Sequence, residues 1–273
     1  MDDFSSVSSD DPQISEILAE AADAESAGKR NDAIGLYRRT SDLGCTDATV
    51  HLGIMLIDGT EEERGQAIGL FRQADEKGNS SGTRNLGYCY AVGIGVEKDK
   101  EKAAELYIKA ADAGNAKAMC NIGVLYSYGH GVPQDFEKAA EWYRRSAENG
   151  YSRGRTNYAC LLRDGKGVER DPEKAFYWYN RAAKQGDLDS LTTVGRMYSL
   201  GEGVKQNADK AKEILLKRAE NNDELAEFYL GEMYDQGLGI RKNADEAKSW
   251  YKKAADHGHA EAKIRYAMMV ARE

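Results

Sequence analysis

The chain has 273 residues, 31% of them charged, and a formal net charge of -8. That balance excludes a general nucleic-acid binder, which needs basic surface to neutralise phosphates, and no stretch approaches the ~20 apolar residues of a membrane-spanning helix. No basic start followed by an apolar run marks an export signal, so a cytoplasmic protein is expected.

Glycine is abundant (28) and proline scarce (3), which fits regularly spaced helix stops better than a disordered linker. The four cysteines, Cys45, Cys89, Cys120 and Cys160, show no Cys-x-x-Cys spacing. They fall at different depths of different units, so reduced thiols in a reducing compartment are expected.

Residues 1–12, rich in Ser and Asp, read as a disordered acidic leader. From residue 13 to 273 the pattern is one continuous repeat, hence one expected domain. Ile14, Ile17, Leu18 and Ala21 share a helical face, Gly28 breaks it, and Ala33, Leu36 and Tyr37 form a second helix that stops at Gly44. This hairpin, 14–44, is followed by units 48–78, 82–114, 118–150, 154–186, 190–222 and 226–258 and by a terminal helix, 262–272. The first of these units is shorter, because Asp58-Gly59-Thr60 lacks the second glycine of the later loops.

Subtraction shows the period: Gly87, Gly123, Gly195 and Gly231 stand on one column, with Ala159 in the remaining place. Ala103, Ala139, Ala175, Ala211 and Ala247 form another column, and Ala111, Ala147, Ala183, Ala219 and Ala255 a third. Small residues at fixed positions let neighbouring helices approach, where a larger side chain would overpack the contact. Tyr90, Tyr126, Tyr198 and Tyr234, with the pairs Leu106-Tyr107, Trp142-Tyr143, Trp178-Tyr179, Ile214-Leu215 and Trp250-Tyr251, are read as core filling the space between layers.

Glycine-x-glycine loops, as in Gly129-His130-Gly131, end each first helix from Gly93 onward. Asp99, Asp135, Asp171, Asn207 and Asn243 then stand where an N-cap oxygen meets the free amides of the second helix. Gly114, Gly150, Gly186 and Gly258 supply left-handed stops, and Asn222 does so in unit 190–222. Helix, glycine loop, helix and glycine stop make an all-α stack of antiparallel pairs, about seven pairs plus the last helix.

The unit A-x-x-x-x-G-x-x-Y-x-x-G-x-G-V, followed by D-x-x-K-A-x-x-W-Y-x-x-A-A-x-x-G, resembles the Sel-1-like repeat family, related to the tetratricopeptide repeat. Gly123, Tyr126, Gly129, Gly131, Val132, Asp135, Lys138, Ala139, Trp142, Tyr143, Ala147 and Gly150 carry it in one unit. The resemblance runs from about Ala48 to the end, while 14–44 looks like a generic tetratricopeptide hairpin. It implies an α-solenoid, a right-handed superhelix whose first helices line a concave groove for protein or peptide partners, and an adaptor or scaffold role. It departs at Tyr158-Ala159 and Ile214-Leu215, which puts local packing in doubt.

By analogy with tetratricopeptide hairpins, groove positions lie six and three before, and one and four after, the glycine column. They include Arg84, Tyr88, Lys117, Val124, Arg153, Arg163, Arg196 and Phe228, with Asn121 and Asn157 of an asparagine ladder that begins at Asn85. The middle is basic and the C-terminal end apolar and acidic, so the expected ligand is a peptide with an acidic segment or terminal carboxylate. The asparagines also suit bonds within the protein.

His257-Gly258-His259 is too small a set for a metal site, and the glycine loops lack the strand and Lys-Ser/Thr context of a phosphate cradle. No cofactor is expected. Ser26-Ala27-Gly28-Lys29 and Ser249-Trp250-Tyr251-Lys252 match a Ser-x-x-Lys motif, leaving a penicillin-recognising or other acyl-transfer enzyme as a lesser alternative. Self-assembly is the other, since stacked repeats can continue end to end and Met268-Met269 could leave an apolar end. A non-enzymatic monomer is expected.

Overall fold

The computed structural model describes residues 11–271. Fifteen helices follow one another among them: α1 (Pro12–Ser26), α2 (Arg30–Asp42), α3 (Thr46–Leu56), α4 (Glu61–Glu76), α5 (Ser80–Val92), α6 (Lys100–Asp112), α7 (Ala116–Tyr128) and α8 (Phe136–Glu148). Then come α9 (Ser152–Asp164), α10 (Pro172–Ala183), α11 (Leu188–Leu200), α12 (Ala208–Ala219), α13 (Glu224–Gln236), α14 (Ala244–Asp256) and α15 (Ala260–Val270). The leader expected at 1–12 lies mostly outside the described residues. Its last two members are helical apparatus: Asp11 caps α1 by accepting from the Gln13 amide, and Pro12 opens the helix. Proline loses nothing there, because a first-turn amide has no partner within the helix.

The chain divides into two compact units, Met1–Trp142 and Tyr143–Glu273. In stacked hairpins each element touches only its neighbours, and each unit is described by itself. In the first, α1 pairs with α2, α3 with α4 and α5 with α6, and each second helix meets the next first helix. The second repeats this with α9 and α10, α11 and α12, and α13 and α14, after which α15 packs on α14.

The loop chemistry follows the expectation. Asp99, Asp135, Asp171, Asn207 and Asn243 each accept from the amide three residues on, at 2.8–3.2 Å. The same residues donate their own amides to Tyr90, Tyr126, Leu162, Tyr198 and Tyr234 carbonyls at 2.9–3.0 Å, so each cap also ties the second helix to the first. The second loop glycine has a separate reason: a Cβ on Gly203 would run into the Pro172 carbonyl, and one on Gly131 into Lys100. These glycines let a loop lie against the start of the preceding second helix.

The glycine column works as the spacing predicts. A Cβ on Gly53 would sit 2.5 Å from the Phe71 ring, on Gly87 2.9 Å from Tyr107, and on Gly231 2.6 Å from Tyr251. The second member of each bulky pair is core, with Tyr107, Tyr143, Tyr179, Leu215 and Tyr251 all buried. The first member is half-buried in Trp142, Trp178, Ile214 and Trp250. None of the four cysteines forms a disulfide.

Candidate functional site

In the first unit α3, α5 and α7 present side chains that take no part in the core. Tyr88 is 45% exposed, Lys117 is exposed, and Asn121 and Val124 are half-buried. Arg84 is half-buried, with its guanidinium on the Asn85 amide oxygen at 2.5 Å. Asn121 turns inward and hydrogen-bonds the buried Tyr107, whose hydroxyl pKa burial drives up. This ladder member holds its own hairpins together.

In the second unit the expected basic residues separate into two kinds. Arg153 is exposed and, like Lys117, enters no hydrogen bond or ion pair among the described residues. Arg163 instead binds Asp164 at 2.9 Å and lies 6.0 Å from the Tyr179 ring centroid. Arg196 pairs with Glu232 at 3.6 Å and stacks over Tyr229 at 4.6 Å. Burial pushes the Glu232 carboxyl up, and the Arg196 and Arg265 guanidiniums pull it back. Asn157 is half-buried.

Phe228 corrects the sequence reading. It is only 7% exposed, stacked on His259 at 4.3 Å and packed against Tyr251 at 5.6 Å. Its column, three before the glycine, points into the neighbouring hairpin: Thr192 donates to Asp223 at 2.8 Å, Thr156 and Ser190 share a hydrogen bond at 2.8 Å, and Cys120 is buried. The column four after the glycine is also largely inward, with Ser127 and Ser199 buried. Two of the four presumed groove columns thus serve packing between hairpins.

Two buried ionisable residues escaped the sequence reading. Arg155, 6% exposed, donates from Nε to the Ala147 carbonyl at 3.2 Å, capping the end of α8. Glu227, 2% exposed, meets His257 Nδ1 at 2.7 Å. Both stand four before the column position, where Met119 and Leu191 occur in other units. A charged residue at a register position that elsewhere holds Thr49, Thr83, Met119 and Leu191, all uncharged, was the available signal.

Antiparallel helix pairs in register, spaced by small-residue columns, define a helical repeat protein of the α-solenoid class. The Sel1 repeat model matches residues 80–115, 116–151, 152–187, 190–223 and 225–259. The chain belongs to the Sel1 repeat family; the 48–78 hairpin and α15 lie outside the matched repeats.

Among solved structures, a Sel1 repeat protein from Oxalobacter formigenes is similar at 32% identity with a TM-score of 0.70, covering 80% of this chain and 86% of that one. A protective antigen of uropathogenic Escherichia coli with an SLR fold is similar at 30% identity with a TM-score of 0.72. That match covers 88% of this chain, which spans about half (52%) of the antigen. No curated protein matches the chain. No helix of the described residues is long and apolar enough to cross a membrane.

Proposed function

We propose that this protein is a non-enzymatic adaptor that holds a protein or peptide partner on the exposed faces of its first helices. The observation that carries the reading is, in the first unit, the exposed Tyr88 and Lys117 with the half-buried Val124 and, in the second unit taken by itself, the exposed Arg153, where the rest of the repeat pattern serves caps and packing. An acidic segment is the favoured ligand, because each unit carries its own exposed cation with no internal counter-charge in contact, Lys117 in the first and Arg153 in the second. Arg163 and Arg196 contribute less, their charge being met by Asp164 and Glu232. A reducing, cytoplasmic setting belongs to the same proposal, supported by cysteines that stand as thiols.

Affinity capture from native cell extract tests it, using wild type beside the double variant K117E/R153E. A protein retained by wild type and lost on the variant supports the reading. Retention by both moves the site off these faces, and turnover of a small substrate with no protein retained would replace it with an enzyme.

A second reading is self-association through α15, where Ile264, Met268 and Val270 are 56%, 47% and 43% exposed. Sedimentation of wild type and M268E across concentration separates it from a monomeric adaptor.

A further inference from the structure

Solitary exposed apolar side chains are ordinary on a protein surface, but a row in register is a binding feature. The first unit has such a row. Ile54, Tyr88 and Val124 each follow the column glycine of α3, α5 and α7, and Val92 and Tyr128 stand one turn further on in α5 and α7. Ile54 is 38% exposed, Tyr88 45%, Val92 49% and Tyr128 67%, with Val124 half-buried between them. Tyr128 is steadied by the His130 ring, stacked at 5.7 Å. The corresponding positions of the second unit, Cys160, Arg196 and Glu232 with Asp164, Leu200 and Gln236, are mostly polar. The apolar row is therefore a property of α3, α5 and α7 and not of the repeat.

We infer that this row seats an amphipathic helix of a protein partner, laid across α3, α5 and α7 with an acidic flank toward Lys117. The inference rests on the protein-binding reading above and names the ligand of that surface in the first unit.

Its dimensions select the ligand's shape. Side by side and one helix diameter, about 10 Å, apart, three first helices make a strip about 20 Å long. Its height is about one helical turn, ~6 Å. A crossing α-helix returns a side chain to the same face every seven residues, about 10 Å, which matches the helix-to-helix step. An extended chain repeats a face every ~6.6 Å and falls out of step. A helix of roughly 14 residues spans the strip.

Charge sets the orientation. Lys117, exposed, lies two turns before Val124, on the edge nearer the helix starts. Asp58, exposed just beyond α3, lies on the opposite edge and repels an acidic flank placed there. Asp47, on the basic edge, is held by the Asn79 amide at 2.9 Å.

The test is selection of displayed 16-residue peptides on the full-length protein. The enriched sequence is then measured as a synthetic peptide by fluorescence anisotropy and circular dichroism. The expected winners carry apolar residues at i, i+3 or i+4 and i+7, with Asp or Glu along one flank, and become helical on binding. Their affinity should fall at least about tenfold on Y88D/Y128D and several-fold on K117E, the latter loss shrinking at high salt. Both tyrosines are exposed, so an unchanged melting temperature verifies folding.

No enrichment, proline-containing or basic winners, or affinity indifferent to Y88D/Y128D would overturn the inference. So would a wild-type dimer that Y88D/Y128D dissociates, since the row would then be a contact between copies. If a partner captured from extract survives on Y88D/Y128D but is lost on R153E, the helix seat is wrong while the adaptor reading stands. If wild type captures nothing, the adaptor reading itself falls.

Discussion

Phe228 and His259 stack nearly parallel, ring centroids 4.3 Å apart at 15°, and join α13 to the start of α15. In that position His259 caps α15, its Nδ1 accepting from the Ala262 amide at 3.1 Å. Asn79, Asn115, Asp187 and Asp223 cap α5, α7, α11 and α13 from the same register position, where Cys45 and Tyr151 give α3 and α9 no side-chain cap. A histidine cap titrates where theirs do not. Burial holds its pKa below the ordinary histidine value, against an upward pull from Glu224 and Glu261. A lowered folded-state pKa means the stabilisation is present above the unfolded value near 6.5 and is lost as pH falls through the folded one. As pH falls below the ordinary histidine value, the protection factor of the Ala262 amide, its base-catalysed intrinsic exchange rate divided by the observed one, should therefore drop. H259N, which keeps a cap oxygen, should remove that pH dependence; an unchanged acid limb in H259N would place the titrating group elsewhere.

Asp223 carries a heavier duty. One oxygen accepts from the Leu225 and Ala226 amides, and the other from Thr192 at 2.8 Å and Arg218 at 2.6 Å. Burial pushes its pKa up, but the Ala226 amide, Thr192 and Arg218 outweigh it and hold the carboxyl below the usual range. Asp223→Ala should cost about 3 kcal/mol, since it leaves Arg218 buried without its counter-ion. The contribution is present above pH ~4 and lost as pH falls through the lowered folded pKa. Urea melts at pH 7 and pH 3 should show a smaller difference between variant and wild type at the lower pH.

The glycine column predicts overpacking. A Cβ at Gly231 would stand 2.6 Å from the Tyr251 ring, which is itself buried. Gly231→Ala should therefore lose about 1–3 kcal/mol despite the better helix propensity of alanine. Ala159 already fills that register position in α9 and is fully buried, so Ala159→Gly should lose about 1–2 kcal/mol, from a glycine inside a helix together with a buried methyl group removed. Equilibrium unfolding of the two variants compares them directly.

Asn85 is 8% exposed and its Nδ2 is buried with no hydrogen-bond partner. One repeat later Asn121 has the Tyr107 hydroxyl to bond, whereas the residue in Tyr107's place ahead of Asn85 is Phe71. Phe71→Tyr should supply the missing oxygen and raise stability by about 1 kcal/mol. Tyr107 and Tyr251 show that the column accommodates a hydroxyl. A lower melting temperature in F71Y would mean that the added oxygen finds no such partner.

Local structure was legible because its causes are local. Asp135 caps a helix through an amide three residues away, and Asn222 takes a positive φ of 58° where the other units use glycine. Such interactions span one turn, so residue type and spacing carry them. A period repeated through the chain then implies that like packs on like. That was sufficient for the helix pairs, the caps, the glycine column and the family.

Which side of a first helix faces outward was decided by the tertiary structure. Phe228 and Thr192 occupy a presumed groove column, but their neighbours, His259 and Asp223, come from the next hairpin 31 residues further along. The same holds for charge: Arg163, Arg196, Lys117 and Arg153 look alike in the sequence, and only the first two meet a carboxylate in the fold. Sequence alone determined the repeat, because short-range hydrogen bonds and steric limits write it one turn at a time. The exposed row on α3, α5 and α7 was left to the tertiary structure, because exposure depends on what an adjacent layer covers.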